Sequence, residues 1–302
     1  MSAELMNVMI MLFGLMAVGY ISNRCAILDE AANARFSAFI LKVTLPSTIL
    51  KSAVSQSGLE RSMVLHALTI AVGIFVLLPV MSRIVAKLFH LDVTYQLMLM
   101  YSNLGFMGLP IISSMYGEES VFYVVIFMMV FNVHIFTVGI MTLQGKTENL
   151  RVLLKNLCTP GIISSAAAFM IVMLELRVPD AVEGILGNLG AITTPLAMVI
   201  IGSQLAQADL KGILKNRSLY LMICFKLVVY PAVIYLILCT AVGTGLVTDI
   251  ATILVGLPVA ANVTMLCSGY GGDTALAAEG TGLSTLLSLV TVPIMMILLK
   301  LY

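Results

Sequence analysis

Two asparagines and two prolines lie inside long apolar stretches of the sequence, where such residues are uncommon. Asn103 precedes Pro110 in the segment Asn-Leu-Gly-Phe-Met-Gly-Leu-Pro, and Pro258 precedes Asn262 in Gly-Leu-Pro-Val-Ala-Ala-Asn. Because a proline inside a helix costs about 3 kcal/mol, we expect each helix to stop and to begin again at Pro110 and at Pro258. New helix ends present unpaired N–H groups that suit a carboxylate. The asparagine amides can hydrogen-bond it without a full charge.

Three ionisable side chains, His134, Lys226 and Glu279, also lie within apolar stretches. Such residues are expensive to bury and often belong to ion or proton pathways. His134 could relay protons or bind a ligand, or it could be a satisfied packing histidine. Lys226 and Glu279 could act in ion coupling, or they could form a buried structural ion pair with one another.

The composition places these residues in an integral membrane protein. Of the 302 residues, 60% are hydrophobic and 10% are charged, and the mean hydropathy is +1.08. A soluble domain carries about 25% charged residues. The N-terminus has no basic segment typical of a signal peptide, so we expect a retained transmembrane helix there.

The sequence lacks the features that are typical of several classes of protein. The net charge of +1 gives no indication of nucleic-acid binding. Five scattered cysteines form no CxxC motif or Cys/His cluster, so neither a metal site nor a disulfide framework is predicted. There is no P-loop, HExxH or GxSxG motif. We therefore expect a protein that is not an enzyme and has no cofactor.

Ten apolar segments are long enough to cross the hydrocarbon core, which takes about 20 residues. The predicted spans are 5–22, 34–54, 63–88, 95–116, 120–143, 160–177, 183–207, 217–242, 247–270 and 274–300.

Lysine and arginine in the loops predict the orientation of these spans. Basic residues concentrate in the loops that are cytoplasmic if the N-terminus lies outside. Both termini are therefore predicted on the non-cytoplasmic face. The longest polar loop, residues 144–156, is predicted in the cytoplasm.

That loop divides the sequence into two halves of five spans, residues 1–148 and 149–302. A Tyr-Gly pair ends both the fourth span, at Tyr116, and the ninth, at Tyr270. Because five is odd, the second half must enter the membrane from the opposite side. The sequence thus predicts an all-α protein of two inverted five-helix repeats, with helices 4 and 9 broken and crossing at proline.

Inverted repeats with broken helices are typical of secondary transporters, whose substrate site lies at the breaks. The alternative is a pair of ordinary proline kinks packed by neighbouring helices. Breaks at equivalent positions, each accompanied by an asparagine, favour the binding site. A break in lipid persists only where protein or a water-filled cavity lines it.

The two broken segments resemble those of the auxin efflux carrier family, which includes the plant PIN exporters and bacterial relatives. The similarity rests on the Asn103–Pro110 segment followed by Tyr116-Gly117, and on the Gly256–Asn262 segment followed by Tyr270-Gly271 and Leu283-Ser284-Thr285. It covers essentially the whole chain, and the short central loop is similar to that of the bacterial branch.

This resemblance implies an elevator-type fold. Helices 1, 2, 6 and 7 would form a scaffold that dimerises, and helices 3–5 and 8–10 a mobile transport domain. Substrates would be small organic anions, namely auxin in plants and dicarboxylates such as malonate in some bacteria. Localisation would be the bacterial inner membrane.

The resemblance also implies residue roles. Asn103 and Asn262 would hold the substrate carboxylate at the crossing. Asn132 of the fifth span would line the site, and Ser47 and Thr48 would face it from the second span.

Other functions remain open at this stage. A sodium-coupled symporter resembling the bile-acid transporters would have a related architecture. A membrane sensor would bind the ligand without flux, and a channel would conduct without saturating at low rates. The sequence leaves the substrate, the direction and the coupling ion, H⁺ or Na⁺, undecided.

Overall fold

Helices account for nearly all of the described chain, because backbone N–H and C=O groups in lipid must be satisfied within the protein. The computed structural model describes residues 3–54, 61–145, 159–174, 176–207 and 216–301, and no β-strand occurs in these ranges. The α-helices are α1 (Ala3–Arg24), α2 (Glu30–Phe39), α3 (Leu45–Val54), α4 (Arg61–Leu88), α5 (Val93–Met100), α6 (Leu109–Tyr116), α7 (Val121–His134), α8 (Ile140–Gln144), α9 (Pro160–Met173), α10 (Asp180–Ala191), α11 (Thr193–Gln207), α12 (Arg217–Cys224), α13 (Tyr230–Ala241), α14 (Leu246–Val255), α15 (Ala261–Tyr270) and α16 (Thr274–Leu301).

Six helical stretches are long and apolar enough to cross a membrane, each 25–28 residues in length. They are Glu30–Val54, Ser62–Leu88, Glu118–Gln144, Asp180–Gln207, Arg217–Ala241 and Thr274–Leu299. Shorter apolar helices are Ile10–Arg24, Leu104–Tyr116, Pro160–Met173 and Leu246–Val255. The prediction of an all-helical membrane protein is confirmed. The inverted repeat and the orientation stay predictions, and the polar loop 144–156 lies outside the described residues from 146 onwards.

Short π-helical turns precede three of the prolines. Ile40–Thr44 ends two residues before Pro46, Leu104–Gly108 before Pro110, and Phe225–Val229 before Pro231. A proline lacks an N–H and crowds the carbonyl four residues back, whereas a π turn bonds each carbonyl to the residue five positions on. These prolines therefore widen a helix without ending it. The π turn Ile135–Gly139 has no such proline.

The chain divides into two compact units. The first comprises residues 1–67, 105–129 and 158–208, and the second comprises residues 68–104, 130–157 and 209–302.

Helices α1 and α11 pack backbone to backbone in the first unit. A Cβ atom at Gly19 would collide with the carbonyl oxygen of Val199, and one at Gly202 would collide with that of Met16. Small residues permit such close helix contacts in membrane proteins. Both glycines are thus required by packing.

The second unit holds both observed helix breaks, at residues 101–103 and 258–260, and helix α16. Asp273 caps α16, since its side chain accepts a hydrogen bond from the Leu276 N–H at 3.0 Å, as the sequence predicts. Its own N–H donates to Thr94 Oγ1 at 3.1 Å, which ties the start of α16 to α5.

Candidate functional site

Two helix breaks, one in each segment singled out from the sequence, meet each other in the second unit. The chain leaves the helical conformation at Tyr101, with φ −112° and ψ 114°, and has extended backbone at Ala260, with φ −70° and ψ 136°. Residues around Ser102 and Val259 run antiparallel and form an isolated β-bridge. The break after α5 therefore lies directly against the break after α14.

Backbone hydrogen bonds join the two breaks in both directions. The Asn103 N–H donates to the Pro258 carbonyl at 2.8 Å, and the Ala260 N–H donates to the Tyr101 carbonyl at 3.0 Å. Each segment thus satisfies backbone groups that the other has freed, as buried polar groups require. We call these mutually bonded segments, residues 101–103 and 258–260, the paired breaks.

Lys226 satisfies a carbonyl that the first break leaves open. In a continuous helix the Leu99 carbonyl would accept from the Asn103 N–H, which here bonds to the opposite segment. Lys226 Nζ donates instead to Leu99 O at 3.1 Å and to Ser102 Oγ at 2.7 Å. Ser102 Oγ then donates to Val255 O at 3.0 Å, the carbonyl that the second break leaves open.

Ser284 of α16 satisfies the remaining backbone donor. The Val259 N–H donates to Ser284 Oγ at 3.0 Å, and this hydroxyl donates to Thr281 O at 3.1 Å. No role was predicted for Ser102 or Ser284 from the sequence. Two positions could have indicated one: Ser102 lies next to Asn103, and Ser284 lies in the Leu283-Ser284-Thr285 segment that resembles the family.

The predicted ion pair between Lys226 and Glu279 is wrong. Lys226 is 0% exposed, and its ammonium group is held at the first break, whereas Glu279 is partly exposed on α16. Among the described residues, the ion pair within 4.0 Å joins Lys51 to Glu183 at 2.5 Å in the first unit. A lysine side chain is therefore buried at the paired breaks without a carboxylate bound to it.

The predicted starts of the two half-helices also need correction. Helical turns resume at Leu104 rather than at Pro110, because the π turn accommodates this proline inside the helix. On the other side they resume at Ala261 rather than at Pro258. Pro258 lies in the extended segment, where its carbonyl is bonded to Asn103.

The two predicted asparagines flank the paired breaks. Asn103 is buried in the first segment, and Asn262 is partly exposed in the first turn of α15. In α7, Asn132 is buried. Within the described part of the chain, neither Asn132 nor Asn262 has a hydrogen-bond partner for its side chain, so both amides keep their donors and acceptors.

His134 is linked to the paired breaks through Tyr101. The Tyr101 hydroxyl lies 2.8 Å from His134 Nδ1 and 3.2 Å from the His134 carbonyl oxygen. Both His134 and Asn132 belong to the second unit, as do Asn103, Lys226 and Glu279.

The remaining predicted residues, Ser47, Thr48 and Pro110, belong to the first unit. Ser47 Oγ donates to Val43 O at 2.8 Å. Thr48 Oγ1 bonds to Thr193 Oγ1 at 2.9 Å. These hydroxyls have partners inside the first unit, and their role in a site stays a prediction.

Comparison with known proteins agrees with this architecture. The profile of a family described as "Membrane transport protein" matches residues 4–296. The chain belongs to this family, the auxin efflux carriers. A protein of Rhizobium meliloti named "Putative malonate transporter" is 25% identical over 320 aligned residues, which cover 99% of this chain and 97% of the relative. An uncharacterised transporter of Methanocaldococcus jannaschii is 23% identical over 305 aligned residues, which cover 95% of this chain and 96% of the relative.

Family membership confirms the resemblance noted from the two broken segments. It identifies an integral membrane transporter rather than an enzyme. Within an auxin efflux carrier, the paired breaks are the candidate site for a small-molecule substrate.

Proposed function

We propose that this auxin efflux carrier family member is a secondary transporter of small organic anions, and that a substrate carboxylate binds beside the paired breaks. The observation that carries the proposal is the hydrogen-bonded meeting of the two helix breaks, with an asparagine on each. Backbone that departs from a helix at membrane depth is tolerated where it lines a cavity or is buried in protein, and substrate sites of secondary transporters are built from it.

The charges at this position favour an anion. Helices begin at Leu104 and at Ala261, directly after the paired segments, and a helix N-terminus carries roughly half a positive charge. Lys226 adds a buried amine that is able to carry a positive charge when an anion is bound. Asn262 and Asn132 supply amide donors that suit a carboxylate oxygen.

The name of the Rhizobium relative supports a dicarboxylate as the first substrate to test. Two carboxylates could use the two helix starts separately, one at Leu104 and one at Ala261. Malonate is therefore the probe of choice, with a monocarboxylate as the comparison.

We also propose ten transmembrane helices in two inverted repeats, 1–148 and 149–302, working by elevator-type alternating access. Helices 1, 2, 6 and 7 would form the scaffold and a homodimer interface, with both termini outside a bacterial inner membrane. The composition of the first unit supports this division, since it contains residues 1–67 and 158–208, although residues 105–129 also belong to it.

Binding and uptake of malonate by the purified protein test the proposal. We expect saturable binding in detergent and saturable uptake into proteoliposomes. Asn262→Ala should weaken malonate binding about tenfold, because a hydrogen bond to a charged group contributes about 1.5–3 kcal/mol. Asn103→Ala should have a similar effect on binding. Asn188→Ala, which removes an exposed amide of α10 in the first unit, serves as the matched control.

Each alternative function has its own outcome in this experiment. Malonate binding without flux would indicate a sensor. Conduction that does not saturate would indicate a channel, and uptake that requires Na⁺ would indicate a sodium symporter. Unchanged binding and uptake in both asparagine variants would show that the substrate site lies elsewhere.

A further inference from the structure

The side chains of Tyr101 and His134 have no part in holding the backbone of the paired breaks, yet Tyr101 belongs to these breaks through its main chain. Tyr101 accepts the Ala260 N–H through its carbonyl and contacts His134 through its hydroxyl. One residue therefore belongs both to the substrate site and to a titratable contact with α7. Sequence reasoning singled out His134 but not Tyr101.

We propose that Tyr101 and His134 form a proton-binding site, and that a proton bound there is taken up together with the substrate anion. This inference rests on the proposed function. His134 is the proton acceptor, and Tyr101 is the positioning residue that connects the imidazole to the paired breaks.

The hydroxyl of Tyr101 is held firmly in place. The side chain is 0% exposed, and its ring packs edge-on against Phe131, with centroids 5.5 Å apart at 89°. At Gly139 an added Cβ would lie 3.0 Å from the hydroxyl oxygen, so this glycine leaves just enough room. The hydroxyl can rotate its proton but cannot move away from the imidazole.

The same geometry satisfies both protonation states of the imidazole. When His134 is neutral with its proton on Nε2, the Tyr101 O–H donates to Nδ1 at 2.8 Å. When a proton is added at Nδ1, the new N–H donates to the Tyr101 oxygen. The tyrosine proton then turns to the His134 carbonyl oxygen, 3.2 Å away. Charging the ring thus requires no movement of heavy atoms.

The groups around His134 leave an imidazolium without a counter-charge. Helix α4 presents the Phe75 ring, 5.4 Å from the imidazole centroid, and α7 presents Phe131. The charged group at the paired breaks is Lys226, which bonds to Leu99 and Ser102 on either side of Tyr101. No carboxylate within the described ranges forms an ion pair with His134.

A bound anion would supply the missing negative charge. Proton and anion would then strengthen each other's binding, and this effect is reciprocal by thermodynamic linkage. Histidine is the side chain whose charge changes between about pH 5 and 8. A neutral His134 that becomes protonated when the anion binds would therefore couple anion binding to proton uptake.

Calorimetry on the full-length parent protein tests this without any variant. Malonate binding is measured in buffers of different ionisation enthalpy over about pH 6.5–8.5, where carboxylates stay ionised. We expect net proton uptake on binding, and an affinity that falls towards alkaline pH by up to about tenfold per unit. Malonate binding with no proton uptake overturns this inference alone. No binding of any carboxylate overturns it together with the proposed function.

Variants assign the proton to the pair. His134→Gln keeps a hydrogen-bonding side chain but cannot titrate, so its malonate affinity should be nearly independent of pH. Tyr101→Phe should weaken binding about three- to tenfold at the acid end and less at the alkaline end, because a charged donor left unpaired costs more than a neutral one.

Tyr95→Phe is the matched control, since Tyr95 lies in α5, the helix that ends immediately before Tyr101, and its hydroxyl bonds to Asn216 instead. It should retain the parent's pH profile. A parent-like profile in His134→Gln, or equal behaviour of Tyr101→Phe and Tyr95→Phe, overturns the proposal. In proteoliposomes, an inward proton gradient should stimulate malonate uptake in the parent and the control but not in His134→Gln.

Discussion

The two helix breaks free similar backbone groups, but the protein satisfies them with different chemistry. After α5, the open Leu99 carbonyl is held by the ammonium group of Lys226. After α14, the open Val255 carbonyl and the Val259 N–H are held by two neutral hydroxyls, from Ser102 and Ser284. One break therefore brings an ionisable side chain into the protein interior, and the other brings only neutral hydroxyls.

Because of this difference, the two breaks are not interchangeable. Neutral hydroxyls satisfy a broken helix at little electrostatic cost. A buried lysine without a carboxylate is costly by itself, so a role beyond backbone support is expected of it. Under the proposed function, that role is to make the first break attractive to a bound anion.

Replacing Lys226 should have the largest effect on the protein. Lys226→Met keeps the length of the side chain but leaves Leu99 O and Ser102 Oγ without their donor. We expect a loss of about 2–4 kcal/mol in stability and weaker malonate binding, measured by thermal unfolding in detergent and by calorimetry.

Lys42→Met is the matched control, since Lys42 also lies in a π turn before a proline but is exposed. It should leave both quantities near the parent values. If Lys226→Met were as stable as Lys42→Met and bound malonate equally well, the break held by Lys226 would not differ from the break held by the two hydroxyls.

Replacing Ser284 tests the neutral break. Ser284→Ala removes the acceptor of the Val259 N–H, and an unsatisfied buried donor costs about 1–3 kcal/mol. Thermal unfolding should show a clear loss that is smaller than that of Lys226→Met. Ser288→Ala is the matched control, since Ser288 lies one turn further along α16. This variant loses only a local hydrogen bond to Thr285 O. Equal losses in the two serine variants would contradict the assigned role of Ser284.

Replacing Pro110 should have the smallest effect. Because the helix is already continuous from Leu104 through Tyr116, Pro110→Ala restores an N–H without closing the break at residues 101–103. We expect a change within about 1 kcal/mol in thermal unfolding. A large loss of malonate binding in this variant would show that Pro110 itself maintains the break.

The sequence predicted the fold class correctly, but it predicted the location of the site only in part. Apolar segment lengths predicted a helical membrane protein, which is confirmed. The glycine, proline and asparagine cluster correctly marked two breaks, but not where each helix resumes. A π turn before Pro110 leaves no distinct pattern in the sequence, because it depends on how neighbouring residues pack around the widened turn.

Partners across long separations could not be predicted. Lys226 and Glu279 looked like a pair because both are charged and lie in apolar spans. The lysine instead bonds to Leu99 and Ser102, more than 120 positions away. No feature of the sequence distinguishes Tyr101 from the other tyrosines in apolar segments. Its contact with His134 therefore could not be predicted either.

Hydrophobicity and backbone propensity are local properties, so the amino-acid order alone indicates a membrane protein with two helix interruptions rich in hydrogen-bonding groups. Only the tertiary structure decided that the interruptions bond to each other, that Lys226 and Ser284 complete them, and that Tyr101 connects them to His134. A freed backbone group takes whichever partner the fold brings within about 3 Å, and that choice is made by packing between distant segments.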